Sequence, residues 1–134
     1  MSATEAFFDT NVLVYLISAD EAKSGSAEAL LASGGVVSVQ VLNEFVAVAR
    51  RKFRIALPTI KTILSTVRAV CQVTPVDLAT HDLGLALVER FGFSIYDGLI
   101  VAAAQQAGCP MLYTEDLQDG QIIDGLTIRN PFQN

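Results

Sequence analysis

The chain has 134 residues, of which 51% are hydrophobic and 17% are charged. This length fits one domain, residues 1–134, and this composition excludes an intrinsically disordered protein. The net charge of −5 at pH 7 argues against a nucleic-acid-binding protein that relies on Lys and Arg alone to neutralise phosphates.

Short β-branched or apolar runs alternate with longer runs whose apolar residues recur at helical spacing, which predicts alternating strands and helices. The predicted strands are residues 6–8, 36–39, 71–76 and 111–113, with short candidates at 122–123 and 126–128. The predicted helices are residues 11–17, 20–32, 40–54, a helix starting at Pro58, 78–91 and 94–107. This alternation predicts a three-layer α/β/α domain around a parallel sheet of four to five strands.

Localisation and metal type are constrained by what the sequence lacks. No stretch is long and apolar enough for a membrane span, and the first residues lack the basic start of a secretory signal. Cys71 and Cys109 lie far apart, and with the single His81 they give no zinc pattern. Free thiols suit a reducing compartment, so we expect a cytoplasmic protein.

Four acidic residues are placed where a parallel sheet of this kind binds ligands, beyond the carboxyl ends of its strands. Asp9 and Asp116 follow predicted strands, Asp97 opens the most apolar helix, and Glu44 lies within an apolar helical stripe. Each also has a purely structural interpretation. Asp9 fits a helix N-cap, Asp97 fits a capping box with Ser94, Asp116 fits a solvated turn, and Glu44 fits the edge of its stripe.

If the four carboxylates converge, their mutual repulsion must be neutralised. A hard divalent cation does this, and carboxylate ligands without Cys or His favour Mg²⁺ or Mn²⁺. Such a site can activate water against a phosphodiester. The residues alone therefore indicate metal-assisted phosphoryl chemistry. A basic cluster fits either a grip on RNA phosphates or the cationic end of a helix; its members are Arg50, Arg51, Lys52 and Arg54.

Four segments of the chain, in order and spacing, resemble the four motifs of PIN-domain nucleases. They are FDTNVL (8–13), QVLNEF (40–45), SIYD (94–97) and TEDL (114–117). The subgroup that they resemble most is the VapC-type toxins of bacterial and archaeal type II toxin–antitoxin systems. The resemblance implies a parallel-sheet fold, dependence on Mg²⁺ or Mn²⁺ and endonucleolytic cleavage of RNA. It also implies a homodimer and an antitoxin that occludes the acid pocket.

Carried over by motif, the catalytic metal ligands are Asp9, Glu44, Asp97 and Asp116. The residues implied to support them, by orienting carboxylates or water or by capping a helix, are Thr10, Asn43, Ser94 and Thr114. One departure concerns the fourth acid. Many PIN domains have an aromatic residue three positions after it, whereas this chain has Asp119. Asp116, Asp119 or both can therefore serve the metal, and we favour Asp116.

Other functions compete with the toxin hypothesis. A PIN-like nuclease that processes RNA outside toxin–antitoxin systems is one, and a nuclease-dead interaction protein is another. An aspartyl-phosphate phosphatase normally has a second Asp two residues after the first, where this chain has Asn11. A receiver-like phosphate-binding module needs a late Lys, and no Lys follows Lys61.

Overall fold

The computed structural model describes residues 5–133, which form a six-stranded sheet in the order β3-β2-β1-β4-β6-β5. The strands are β1 (Ala6–Phe8), β2 (Gly35–Ser38), β3 (Cys71–Thr74), β4 (Met111–Tyr113), β5 (Ile122–Ile123) and β6 (Leu126–Arg129). Neighbouring strands are parallel except β5 and β6. The parallel α/β fold is thus confirmed. The sheet exceeds the predicted four to five strands because β5 adds an antiparallel edge.

Helices flank this sheet, as the three-layer prediction requires. They are α1 (Thr10–Val14), α2 (Glu21–Ala32), α3 (Val39–Arg51), α4 (Leu57–Val70), α5 (Leu78–Phe91) and α6 (Ile95–Gln106), with a 3₁₀ turn at Tyr15–Ile17 after α1. No helix within residues 5–133 has the length and apolar character needed to cross a membrane.

Helix α3 follows β2 without a loop, since the buried Ser38 ends the strand and caps the helix by accepting a hydrogen bond from the Val41 amide. The helix ends at Arg51, three residues before its predicted end. Arg54 explains the difference, because its φ of 54° lies in the left-handed region, which an α-helix cannot contain.

The core lies between the sheet and its helices. Strand β2 is buried along its whole length, and Phe7 and Phe8 of β1 are at most 1% exposed. Helix α6 is buried more than the other helices, which agrees with its nearly uncharged sequence; its buried residues are Gly98, Ile100, Val101, Ala102, Ala103 and Ala104.

The chain order of the strands reverses beside β1. Strands β2 and β3 extend the sheet on one side of β1, whereas β4 and β6 extend it on the other. The two connections leaving β1 and β4 therefore diverge at their carboxyl ends and leave a crevice there, which is where open α/β sheets bind ligands.

Candidate metal centre

Three aspartates meet in this crevice. Asp9 follows β1, Asp116 follows β4, and Asp97 lies in the first turn of α6. Each offers one carboxylate oxygen, and these three oxygens lie within 4.8 Å of one another. Asp9 is buried, Asp97 is half-buried and Asp116 is exposed, so the group is closed at its base and open to solvent on one side.

Both oxygens of Asp9 accept hydrogen bonds. Oδ1 accepts from the Thr10 amide at 2.6 Å, and Oδ2 accepts from the Thr114 hydroxyl at 2.7 Å. Asp9 is therefore the N-cap of α1 as well as a member of the acidic group. Burial, with smaller contributions from the charges of Asp116 and Glu44, raises its pKa to about 7 against the lowering effect of these two bonds.

The Thr114 hydroxyl links two of the acids. It donates to Asp9 and accepts from the backbone amide of Asp116 at 3.0 Å. The Asn11 side-chain amide lies 3.4 Å from the same hydroxyl and donates to Asp116 Oδ2 at 3.2 Å. One fully buried hydroxyl thus sets the separation between the loop after β4 and the end of β1.

Asp97 does not complete the capping box that its sequence suggested. Ser94 caps α6 by accepting from the Asp97 amide at 3.1 Å, but the reciprocal bond from the Ser94 amide to the Asp97 side chain, which the Asp77–Thr80 pair does form in α5, is not made. The carboxylate is left facing the other acids. Burial and then the Asp116 charge raise its pKa, with a smaller contribution from Glu44.

Glu44 borders the group of three aspartates without belonging to it. Its Oε1 accepts from the Thr10 hydroxyl at 2.6 Å, and its Oε2 accepts from the Gln40 amide at 3.0 Å. It lies close enough for its charge to raise the pKa of both Asp9 and Asp97. The predicted role of Glu44 as a direct ligand stays a prediction, as do the roles of the three aspartates.

The acidic loop after β4 contains three carboxylates with different partners. Glu115 accepts from the Tyr15 hydroxyl, at 2.7 Å to its nearer oxygen. Asp119 accepts from the Asn130 backbone amide at 2.8 Å. Only Asp116 enters the aspartate group. Among the two candidates for the fourth acid, the geometry favours Asp116.

Two predicted supporting residues differ in their placement, and one supporting residue was missed. Thr114 contacts the acids as described, whereas Asn43 is exposed and makes no hydrogen bond to them within residues 5–133. Asn11 was not predicted to support the site, although it lies two residues after Asp9 in the helix that starts there. Its Oδ1 atom is buried and has no hydrogen-bond partner among the described residues 5–133.

The basic cluster is divided by the end of α3. Arg51 lines a pocket of about 370 Å³ together with Asn11, Glu44 and Asp116. Arg50, Lys52 and Arg54 are exposed and do not line that pocket. The structure thus brings one predicted RNA-binding cation to the border of the acidic group.

The donor chemistry of this site fits a hard divalent cation. The group offers carboxylate oxygens alone, and its three formal negative charges converge in a partly buried crevice. The orphaned Asn11 Oδ1 adds a further oxygen acceptor next to Asp116. Mg²⁺ and Mn²⁺ both suit such ligands, and the geometry does not choose between them.

The fold and this crevice define a class of α/β proteins with an acidic site at the carboxyl ends of the strands. Sequence comparison identifies the family within this class. The PIN domain family model matches residues 6–118. The chain belongs to the PIN domain family, and the resemblance seen in its four motifs is confirmed. No curated protein sequence matches the chain.

Solved structures similar to this chain include toxins of toxin–antitoxin pairs. One is VapC20 of Mycobacterium tuberculosis, described as a sarcin-ricin loop cleaving toxin, with 22% identity, a TM-score of 0.69, and coverage of 84% of this chain and 90% of that chain. A toxin–antitoxin complex from Klebsiella pneumoniae is 22% identical, has a TM-score of 0.71, and is matched over 97% of this chain and 100% of that chain. DNA-bound VapBC from Salmonella typhimurium is 20% identical, has a TM-score of 0.70, and is matched over 96% of this chain and 98% of that chain. At these identities the similarity establishes the fold.

Proposed function

We propose that this protein is a Mg²⁺- or Mn²⁺-dependent endoribonuclease and the toxin of a type II toxin–antitoxin pair. The observation that carries the proposal is the convergence of Asp9, Asp97 and Asp116 within 4.8 Å, in the crevice beside β1 of a PIN domain. Three like charges at this spacing, one of them buried and one half-buried, are costly unless a cation joins them.

The proposed ligands are these three aspartates, with Glu44 at their border. When bound, the cation supplies Lewis-acid activation of a water molecule and neutralises charge on the phosphate. Thr114 fixes the carboxylate of Asp9 and the backbone of Asp116, and Thr10 holds Glu44 against the group. Such supporting bonds keep ligands in one orientation.

The reaction proposed for this site is hydrolysis of an RNA phosphodiester. A new bond forms between phosphorus and the oxygen of water, and the bond from phosphorus to one ribose oxygen breaks. The water loses one proton, and the leaving ribose oxygen gains one. Arg51, at the border of the crevice, supplies a guanidinium that can bind a phosphate oxygen of the same strand. We further propose phosphate contacts for Arg50, Lys52 and Arg54 with strand segments outside the crevice.

The proposal of an antitoxin partner rests on the similar solved structures. Several of those are toxin–antitoxin complexes, so we propose that this chain binds a cognate antitoxin that occludes the acid pocket. The resemblance in the four PIN-domain motifs supports the further proposal of a homodimer. The free thiols of Cys71 and Cys109 support the proposal that the protein acts in the cytoplasm. Co-expression with the product of the neighbouring gene tests the first of these proposals. A co-purifying complex with suppressed nuclease activity is expected, and free activity in such a complex would contradict it.

The deciding experiment is RNA cleavage by the purified protein with Mg²⁺ or Mn²⁺, followed by mapping of the new 5′ ends. Mutation of a residue that hydrogen-bonds to a metal ligand commonly costs about 10- to 100-fold in metal affinity or activity. Loss of a ligand itself should cost more, so we expect Asp9→Asn and Asp116→Asn to lose at least about 100-fold in cleavage rate. Asp119→Asn decides between the two loop acids and should retain activity. Asp82→Asn, an exposed acid on α5, is the matched control. Cleavage that persists in EDTA would contradict the proposal.

A further inference from the structure

A second pocket, of about 550 Å³, lies directly beside the acidic group. Its wall includes Glu44, which also lines the pocket of Arg51. The rest of the wall is largely apolar and includes Val39, Pro75, Tyr96 and Leu99. A strand of RNA whose phosphate lies at the acids is therefore in reach of both pockets.

Tyr96 is the exposed aromatic residue of this wall. Its side chain is 64% exposed, and every other Phe and Tyr within residues 5–133 is buried or half-buried. Tyr96 immediately precedes Asp97, so its Cα lies about 3.8 Å from that of an acid in the metal centre. A single exposed apolar side chain is ordinary on a protein surface. The exposed ring of Tyr96, however, lines a pocket next to the acids, where it can contact a bound ligand.

The backbone of Tyr96 is fixed to the acidic site. The Gln40 side-chain amide donates both to Glu44 Oε2 at 3.0 Å and to the Tyr96 carbonyl oxygen at 3.1 Å. The bond to Tyr96 joins α3 to the first turn of α6, and the bond to Glu44 holds the Gln40 side chain within α3. They also orient the amide, because exchanging its oxygen and nitrogen would place an acceptor against two acceptors. The ring of Tyr96 thus projects into solvent from a backbone that is held in place.

We propose that Tyr96 and this pocket bind one unpaired base of the RNA, next to the phosphate that is cut. A base offers a flat aromatic face, and stacking on an aromatic side chain contributes about 1–3 kcal/mol per base. A paired base is stacked within its own helix and cannot enter. The exposed amide of Asn43 in the same wall can hydrogen-bond to a base edge. This inference rests on the proposed ribonuclease function.

The first test measures RNA affinity apart from catalysis. A fluorescent single-stranded RNA that contains the mapped cleavage site is titrated with protein, with Ca²⁺ replacing Mg²⁺ and Mn²⁺, and the Kd is read from anisotropy. Tyr96→Ala should weaken binding about 5- to 150-fold, the range that stacking of one base gives. Tyr96→Phe keeps the ring and should stay near wild type. Ile122→Ala, another exposed apolar residue at 68% exposure on the edge strand β5, is the matched control.

The second test locates the base. An RNA with one abasic nucleotide beside the cleaved phosphate should lose as much affinity for wild type as Tyr96→Ala does. The two losses should not add, because both remove the same contact. Additive losses, or a Tyr96→Ala protein that binds and cuts RNA like wild type, would overturn this inference and leave the ribonuclease function intact. A wild-type protein that cuts no RNA would overturn the proposed function itself.

Discussion

Every hydrogen-bonding position of the Thr114 hydroxyl is occupied. It donates to Asp9 and accepts from the amides of Asp116 and Asn11, which is the full complement of one donor and two acceptor positions. The residue is fully buried, so water cannot replace a lost partner. A carboxylate in the candidate metal centre therefore depends on a neutral side chain that is 105 positions away in sequence.

We predict that Thr114→Val, which keeps the shape of the side chain and removes its hydroxyl, weakens Mn²⁺ binding about 10- to 100-fold. It should also cost about 1–3 kcal/mol in the free energy of unfolding, since Asp9 and the Asp116 amide lose a buried partner. Calorimetric titration with Mn²⁺ and urea unfolding measure the two effects. Thr114→Ser keeps the hydroxyl and should lose much less Mn²⁺ affinity. Equal losses in both variants would show that the hydrogen bonds are not responsible.

At this scale the sequence predicted which acids to consider better than it predicted how each is held. Asp9, Asp97 and Asp116 were singled out by their places after strands and at the start of a helix, and they meet. The choice between Asp116 and Asp119 depended on the Asn130 amide, which bonds to Asp119 across 11 positions. The contributions of Asn11 and Tyr15 depend on contacts across 100 positions or more. No local pattern encodes such contacts.

Helices α5 and α6 approach closely through two glycines. A Cβ atom added at Gly98 would lie 2.8 Å from the Gly84 carbonyl oxygen, and one added at Gly84 would lie 2.9 Å from a methyl carbon of Leu99. Gly98 directly follows Asp97, so this helix contact also positions one side of the candidate metal centre. Backbone atoms cannot move aside as the end of a flexible side chain can.

We predict that Gly98→Ala lowers the free energy of unfolding by about 1–3 kcal/mol, the usual cost of overpacking a close contact. The matched control is Gly25→Ala in α2, where an added Cβ meets no atom within 4 Å. That change should instead stabilise the protein by about 0.5–1 kcal/mol, because Ala is the better helix former. Urea unfolding of both variants checks the opposite signs. A Gly98→Ala protein as stable as wild type would show that the two helices separate at no cost.

Helix bounds could be predicted where a local signal marks both ends. Helix α5 covers Leu78–Phe91 as predicted, because Asp77 caps its start and Gly92 ends it with a φ of 75°. Helix α3 ended early because Arg54 adopts a left-handed conformation that its residue type does not announce. Strand β5 has only two residues and depends on its pairing with β6, so tertiary context rather than its own sequence decides its place in the sheet.

The molecule as a whole carries a net charge of −5, yet its proposed substrate is a polyanion. The strand order resolves part of this conflict by concentrating three of the acids in one crevice beside β1. A bound divalent cation would offset the local negative charge there. Folding without a cation therefore buries a carboxylate and brings like charges together, and this cost should be measurable in the stability of the entire chain.

The pKa of Asp9 determines the direction in which stability changes with pH. Its pKa is raised to about 7 in the folded protein, chiefly by burial, from an ordinary value of 3.8. Between these two values the folded state keeps a proton that the unfolded state releases, so the free energy of unfolding falls as pH rises from about 4 to about 7. At about 1.4 kcal/mol per pKa unit the fall is on the order of a few kcal/mol.

In EDTA we therefore expect the wild-type Tm to drop between pH 5 and pH 8, and to drop less in Asp9→Asn, which has no proton to release. Mn²⁺ binds the folded state and competes with protons for the acids, so it should raise the wild-type Tm more at pH 8 than at pH 5. Scanning calorimetry at the two pH values, with and without Mn²⁺, measures the Tm of each protein under these four conditions. Parallel pH profiles for wild type and Asp9→Asn would show that Asp9 ionises without cost, and a Mn²⁺ effect that is larger at pH 5 would place the cation away from these acids.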